Sequence, residues 1–417
     1  MNQRKYGRTL SACLAGISNQ AVITNVTALL FVPFADLYGF SFLQLGLLTA
    51  VNFGAQMLAD VLLVLLIDRF SRKKLALAAA AASAAGLAFY GCVPLLFTGG
   101  ALYGGIAAAT AVFAFSGGML EVVLSDVADS LPRGAPVSIC LLHTAYAWAQ
   151  AVLAILLYGY MTVCCGRWNF AMFFFALVPA AAFLLILRAD LDSAGAHAEE
   201  KTSPSRAFLE ENVSSVQKNF GIFCSLALAA IFFGHGAEVA MNQWASALFY
   251  ETVHIAECGE FFGTAAFAAL LGIGGIFYIR LAGKKAAFPF SVLLFSGAAT
   301  FVCYLCAALC TGAFSFAGAA ACGLFVGILS PGTMTAASEN LPRAGGRLIA
   351  SLAVASDLGA AVLPAAAGAL SQSFGLNASF LILSAAPFAC MLAVAAMRRI
   401  KNGNVIPLER NKLLKFR

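Results

Sequence analysis

Charge is what this sequence has least of. Only 11% of its 417 residues are Asp, Glu, Lys or Arg, while 61% are hydrophobic. A soluble domain carries about a quarter charged residues. A chain this poor in charge cannot cover a water-facing surface of its size, so its first partner is a lipid bilayer. Histidine is also scarce: His143, His197, His235 and His254 are scattered and show no metal-ligand spacing. There is no Gly-x-Ser-x-Gly and no nucleophile–base pair. Gly272-Ile-Gly-Gly275 lies inside an apolar run, where glycines serve helix packing rather than a phosphate. No enzyme activity, resident cofactor or metal is therefore expected. The twelve cysteines fall mostly within apolar segments, where a free thiol behaves as a small hydrophobe. Cys303, Cys306 and Cys310 share a helix face but have no acid or histidine near them in sequence, so they read as packing. Leu10-Ser-Ala-Cys13 has the form that precedes a lipid-modified cysteine. Met1 to Thr9 is polar, however, and supplies no apolar core for a signal peptide, so the N-terminus is expected to be retained.

What the chain does have is length of apolar run. About 20 such residues span a bilayer, and cutting at charges, Pro and Gly yields twelve helices. They are expected at 10–35, 42–67, 74–97, 100–127, 136–162, 168–188, 218–249, 258–280, 286–310, 312–338, 345–371 and 376–398. The net charge of +6 follows from topology, not from nucleic-acid binding. Basic residues gather before helix 1 and after helices 2, 4, 6, 8, 10 and 12, and only Arg167 falls on the other side. The positive-inside rule then places both termini in the cytoplasm, in a cell (inner) membrane.

Residues 191–217 form the one long polar stretch, an expected cytoplasmic loop. It separates an N-terminal six-helix bundle (1–190) from a C-terminal one (218–400), with a basic tail at 401–417. The bundles repeat. Asp68-Arg-Phe-Ser-Arg-Lys-Lys74 after helix 2 matches Ile279-Arg-Leu-Ala-Gly-Lys-Lys285 after helix 8, with the Arg and both Lys in register. Ser130-Leu-Pro-Arg133 after helix 4 matches Asn340-Leu-Pro-Arg343 after helix 10. Both matches lie at nearly one offset, which points to duplication and to a solute site at the midplane between the halves.

The loop at Asp68–Lys74 resembles that of the major facilitator superfamily, Gly-x-x-x-Asp-Arg-x-Gly-Arg-Arg/Lys, with Val64 and Ser71 in place of the two glycines. The resemblance implies an all-α membrane protein of twelve transmembrane helices in two pseudo-symmetric halves, a monomer, and transport by alternating access. Gly117-Gly-Met-Leu-Glu-Val and Gly236-Ala-Glu-x-x-x-x-Gln-Trp-Ala resemble the fucose-permease-like branch of sugar symporters. That branch implies a helix 4 glutamate in coupling, matched by Glu121, and a helix 1 aspartate, where this chain has Asn25. The Gly-x-x-x-Gly-Pro of the superfamily's drug–proton antiporters is missing from helix 5.

Polar residues deep in the apolar runs are the candidate machinery, because each is costly there unless it meets water or a partner. Glu121, Glu238 and Asp357 are the expected proton-coupling acids. Asn25, Asn52, Gln56, Tyr146, Gln150, Asn242, Gln243 and Trp244 are the expected solute-binding residues; amides bond hydroxyls and aromatic rings stack on sugar faces. Asn52, Gln56 and Asp60 recur at spacing four and share a helix face; Asp60, nearer the cytoplasm, reads as structural or gating. His143 reads as a packed histidine. Asp68, Arg69, Arg72, Asp126, Asp129 and Arg133 are expected to form a cytoplasmic latch.

No Lys or Arg lies in mid-helix, and an anionic solute needs a fixed cation. The expected solute is a small, neutral, sugar-like molecule moved with protons, with sodium as the other candidate ion. Proton-coupled efflux of a cationic or amphipathic compound is the alternative.

Overall fold

The computed structural model describes residues 3–66, 70–130, 139–164, 166–191, 219–253, 259–282, 289–341 and 345–403. Asp68, Arg69, Arg133, His197, His254, almost all of the central loop and the basic tail lie outside them. So do the side chains of Asp126 and Asp129, which stand on described backbone.

Among the described residues twelve helices are long and apolar enough to cross a membrane. In chain order they are α1 (Lys5–Tyr38), α2 (Phe42–Leu63), α3 (Arg72–Leu96), α4 (Gly99–Ser125), α5 (Leu142–Val163), α6 (Trp168–Arg188), α7 (Phe220–Val253), α8 (Phe261–Arg280), α9 (Phe290–Leu309), α10 (Gly312–Asn340), α11 (Leu348–Phe374) and α12 (Leu376–Lys401). The expected count and order hold, with ends shifted by a few residues.

Four spans are broken, each for the same reason. The second pieces of α1, α6, α10 and α12 begin at Phe31, Leu177, Leu329 and Ala385. Each carries proline at its third position: Pro33, Pro179, Pro331 and Pro387. Proline has no N–H and its ring pushes away the carbonyl four residues back, so the helix parts one turn before it. Turns at the end of the bundle away from the termini use glycine in the left-handed region. Gly99 (φ 57°) matches Gly312 (φ 58°), and Gly166 (φ 76°) matches Gly375 (φ 81°). Each pair precedes equivalent spans of the two halves, a trace of the repeat that the loops alone did not show.

Packing obeys the same symmetry. In the first half α1 packs on α4, α5 and α6, α2 on α4, and α3 on α4 and α6; in the second, α7 packs on α10, α11 and α12, α8 on α10, and α9 on α10 and α12. The halves meet along two related seams, α2 with α11 and α5 with α8. One apolar core runs through the far end of both halves. At the termini end the first half keeps a separate cluster around Ile17, Leu75, Leu124 and Ile186. At the far end the two halves thus share one core, which in the second half continues to Leu348, Met397 and Ile400. Near the termini, Lys73 Nζ donates to the Leu187 and Ala189 carbonyls at the close of α6, 2.9 and 3.0 Å away, a tie within one half. Lys5 and Asp190 pair at 3.3 Å, also within the first half. Arg72 opens α3 directly after its N-cap Ser71.

Candidate functional site

Three layers of side chains stack along the axis between the halves. The layer nearest the far end is aromatic. Trp244 on α7 is fully buried, with its ring 4.9 Å from Phe31 and 5.9 Å from Phe42. Its Nε1 donates to the Pro364 carbonyl of α11 at 3.0 Å. This one indole thus joins α1, α2, α7 and α11.

The middle layer is made of amides. Asn25 Nδ2 donates to the Ala21 carbonyl and to the Tyr146 hydroxyl, both at 2.9 Å. Asn25 Oδ1 accepts from Asn242 Nδ2 at 2.8 Å and from Gln243 Nε2 at 3.2 Å, so all four of its bonding positions are filled. Gln150 Nε2 donates to Asn242 Oδ1. Alongside, Gln20 Nε2 donates to Gln56 Oε1 (2.6 Å), Gln56 Nε2 to Asn52 Oδ1 (2.5 Å), and Asn52 Nδ2 to the Ile23 carbonyl (2.7 Å). Each of these amides is buried, and most of their polar atoms are paired; among the described residues Gln20 Oε1 and Gln150 Oε1 find no partner. The chain of bonds ties α1 and α5 of one half to α7 of the other.

The layer toward the termini is acidic. Glu121 on α4, Asp60 on α2 and Asp357 on α11 lie within electrostatic reach of one another, Asp60 and Asp357 across the α2–α11 seam. His235 Nδ1 lies 3.8 Å from Glu238 Oε2 one turn along α7 and interacts with Glu121 and Asp357 as well. His143 on α5 faces His235 and Glu238. The side chains of His235 and Glu238 keep 26% and 16% of their surface accessible, and Glu121, Asp60 and Asp357 are partly accessible too. Drawn from α2, α4, α5, α7 and α11 and partly accessible, these groups converge on a shared space between the two halves.

Glycines set this layer in place. A Cβ on Gly118 would stand 3.0 Å from the Gln56 Cα, and one on Gly117 would run into Ile23. α4 therefore nests against α1 and α2, and Glu121 emerges one turn later. On the other side a Cβ on Gly236 would lie 2.8 Å from the Gly359 carbonyl, and one on Gly359 2.2 Å from the Phe232 carbonyl. The α7–α11 crossing puts His235 and Glu238 beside Asp357. The glycines of Gly272-Ile-Gly-Gly275 meet Trp148, Leu324 and Thr144, a packing contact with α5 and α10.

Each expected residue has a place in these layers. Glu121, Glu238 and Asp357 come together in the acidic one. Asn25, Asn52, Gln56, Gln150, Asn242 and Gln243 come together as amides, with Tyr146 bonded to them, and Trp244 stands beyond. Two members were not expected in the acidic layer. Asp60 meets Asp357 across the seam, and His143, read from sequence as a packed histidine, is exposed and faces the acids. His235 shares α7 with Glu238, Asn242, Gln243 and Trp244, but nothing in the sequence gives it acids from two other helices as neighbours. Among the described residues no group of His, Cys, Asp and Glu has the arrangement of a metal site.

Two six-helix halves around a polar axial chamber are the architecture of a carrier, and the chain belongs to the Major Facilitator Superfamily, whose profile matches residues 9–343. No curated protein sequence matches it. Solved structures share the fold at low identity. The superfamily transporter FucP in its outward conformation is 16% identical with TM-score 0.61, over 94% of this chain and 99% of that one. The nucleoside transporter NupG is 13% identical with TM-score 0.63, over 96% and 100%. The xylose transporter XylE from E. coli, partially occluded and inward open, is 12% identical with TM-score 0.69, over 94% and 99%.

Proposed function

We propose that this protein moves a small, neutral, sugar-like solute across the membrane by alternating access, coupled to protons. The observation that carries the reading is the stack itself: an amide layer able to bond hydroxyls, lying directly over carboxyl groups from both halves. Around these groups the spans hold no arginine or lysine in mid-helix, which disfavours an anionic solute. Trp244 and the shared core lie toward the far end, and the acids toward the termini end. The basic loops favour a cytoplasmic position for that end.

Glu121, which matches the coupling glutamate of the resembled branch, releases and takes up the transported proton together with Glu238 and Asp357; Asn25 cannot titrate. Proteoliposomes carrying the purified protein, screened with neutral hexoses, pentoses, polyols and nucleosides, test this. One class should produce solute-dependent proton entry. Glu121→Gln should abolish accumulation driven by a pH gradient while solute exchange survives. Unchanged accumulation in that variant would remove Glu121 from coupling.

A further inference from the structure

The α2–α11 seam is graded along its length. At the far end the helices touch through backbone: a Cβ on Gly46 would lie 3.0 Å from the Gly368 Cα and 3.1 Å from the Ala365 carbonyl. Two turns on, Phe53 packs on Ala360, with Val239 of α7 alongside. Two further turns along α2, and less than one along α11, Asp60 faces Asp357. Gly46, Phe53 and Asp60 recur every seven residues, so all three lie on the one face of α2 that looks at α11. The contact thus passes from close-packed glycine, through an apolar step, to a pair of ionisable groups where the seam nears the chamber.

We propose that Asp60 and Asp357 are a proton-operated clasp between the two halves, closing the termini-side part of the α2–α11 seam when a proton bridges them and releasing it when both are ionised. In the proposed closed state one of the two carboxyls keeps an O–H and donates it to the other, so the pair holds one proton between them. Loss of that proton leaves two carboxylates facing each other in a poorly solvated seam, which repel. Among the described residues the rest of the seam offers no such response, since Gly46, Phe53, Ala360 and Gly368 do not titrate. The titratable groups that face the pair are Glu121 from α4 and His235 from α7, with Glu238 beside His235 and His143 across from it; α1 turns the amide of Gln20 toward α2. A carboxylate and an imidazole side by side bias the clasp in opposite senses, so the proton on Glu121 and the state of the seam are linked. The proposal rests on alternating access and is independent of what the solute is.

The test reads the seam without any solute. Spin labels on cysteines introduced at the exposed positions Val61 and Val354, in a background with the native cysteines replaced, report the α2–α11 distance in nanodiscs by electron–electron resonance. With the acids intact, the distribution should lengthen from mildly acidic to mildly alkaline pH. Asp60→Asn, whose amide donates to Asp357 without titrating, should hold the short distance at both values, and Asp357→Asn should do the same. Glu121→Gln should shift the midpoint and keep the response. A distribution that ignores pH with both aspartates present, or one that responds equally in the Asp60→Asn/Asp357→Asn double variant, overturns the clasp. A null result in the solute screen would leave this reading untouched.

Discussion

Gly236 on α7 and Gly359 on α11 cross backbone to backbone: a Cβ on the first would sit 2.8 Å from the carbonyl oxygen of the second. The two helices are thereby held closer than any side chain permits, and His235, Glu238 and Asp357 are brought round to a common chamber. The glycine of Gly236-Ala-Glu is thus part of what places the glutamate. The same logic holds for Gly117-Gly118 and Glu121.

That crossing is directly testable. In Gly359→Val the new side chain meets the Phe232 carbonyl, a rigid backbone atom that cannot rotate away. Overpacking of this kind costs about 1–3 kcal/mol, so thermal unfolding in detergent should shift to clearly lower temperature. Gly54→Ala, on α2 with open space around its Cβ position, is the matched control and should melt no lower than the unaltered protein.

Asn25 stands where the fucose-permease-like branch implies an aspartate, and exchanging it should not restore one. Asn25→Asp removes both donations, to Tyr146 and to the Ala21 carbonyl. A buried acceptor facing another acceptor costs about 1–3 kcal/mol. The variant should melt lower at neutral pH and recover in acid, where the carboxyl regains a donor. A melt unchanged at neutral pH would show the Asn25 bonds to be dispensable.

At the far end, just before α8, Glu260 offers a pH prediction outside the spans. Burial raises its carboxyl pKa above the ordinary 4.5, against a hydrogen bond from its own backbone that lowers it and with a smaller push from the charge of Asp36. A raised acid favours the folded state in its protonated form, so its contribution is fully present below the ordinary value. It is lost as pH climbs through the folded value. Glu260→Gln should therefore melt higher than the unaltered protein at neutral pH, with the gap closing as the solution is acidified. Parallel melting curves for the two proteins would contradict this.

How much of this was legible beforehand differs by level. Apolar run length and basic loops were enough for twelve spans and two halves, because bilayer thickness and backbone bonding leave a membrane helix few alternatives. The depth of Glu121, Glu238 and Asp357 marked them out by cost alone. The expectation that Asn25, Asn52, Gln56 and Asn242 would line a cavity named the right residues. It could not show that in this conformation they satisfy one another and are buried. The pairing of Asp60 with Asp357 and the turn of His143 toward the acids depend on helix rotation and crossing, which local sequence does not encode.

Composition, run length and spacing by themselves determined that this chain crosses a membrane twelve times, that its halves are copies, and that a few acids and amides lie where they are expensive. Only the tertiary structure decided which of those groups meet. The reason is physical: a helix declares its own faces through a 3.6-residue period, but which face meets which partner is set by close approach at Gly46–Gly368, Gly118–Gln56 and Gly236–Gly359. Those contacts join residues tens to hundreds of positions apart, and they exist only once the helices are packed.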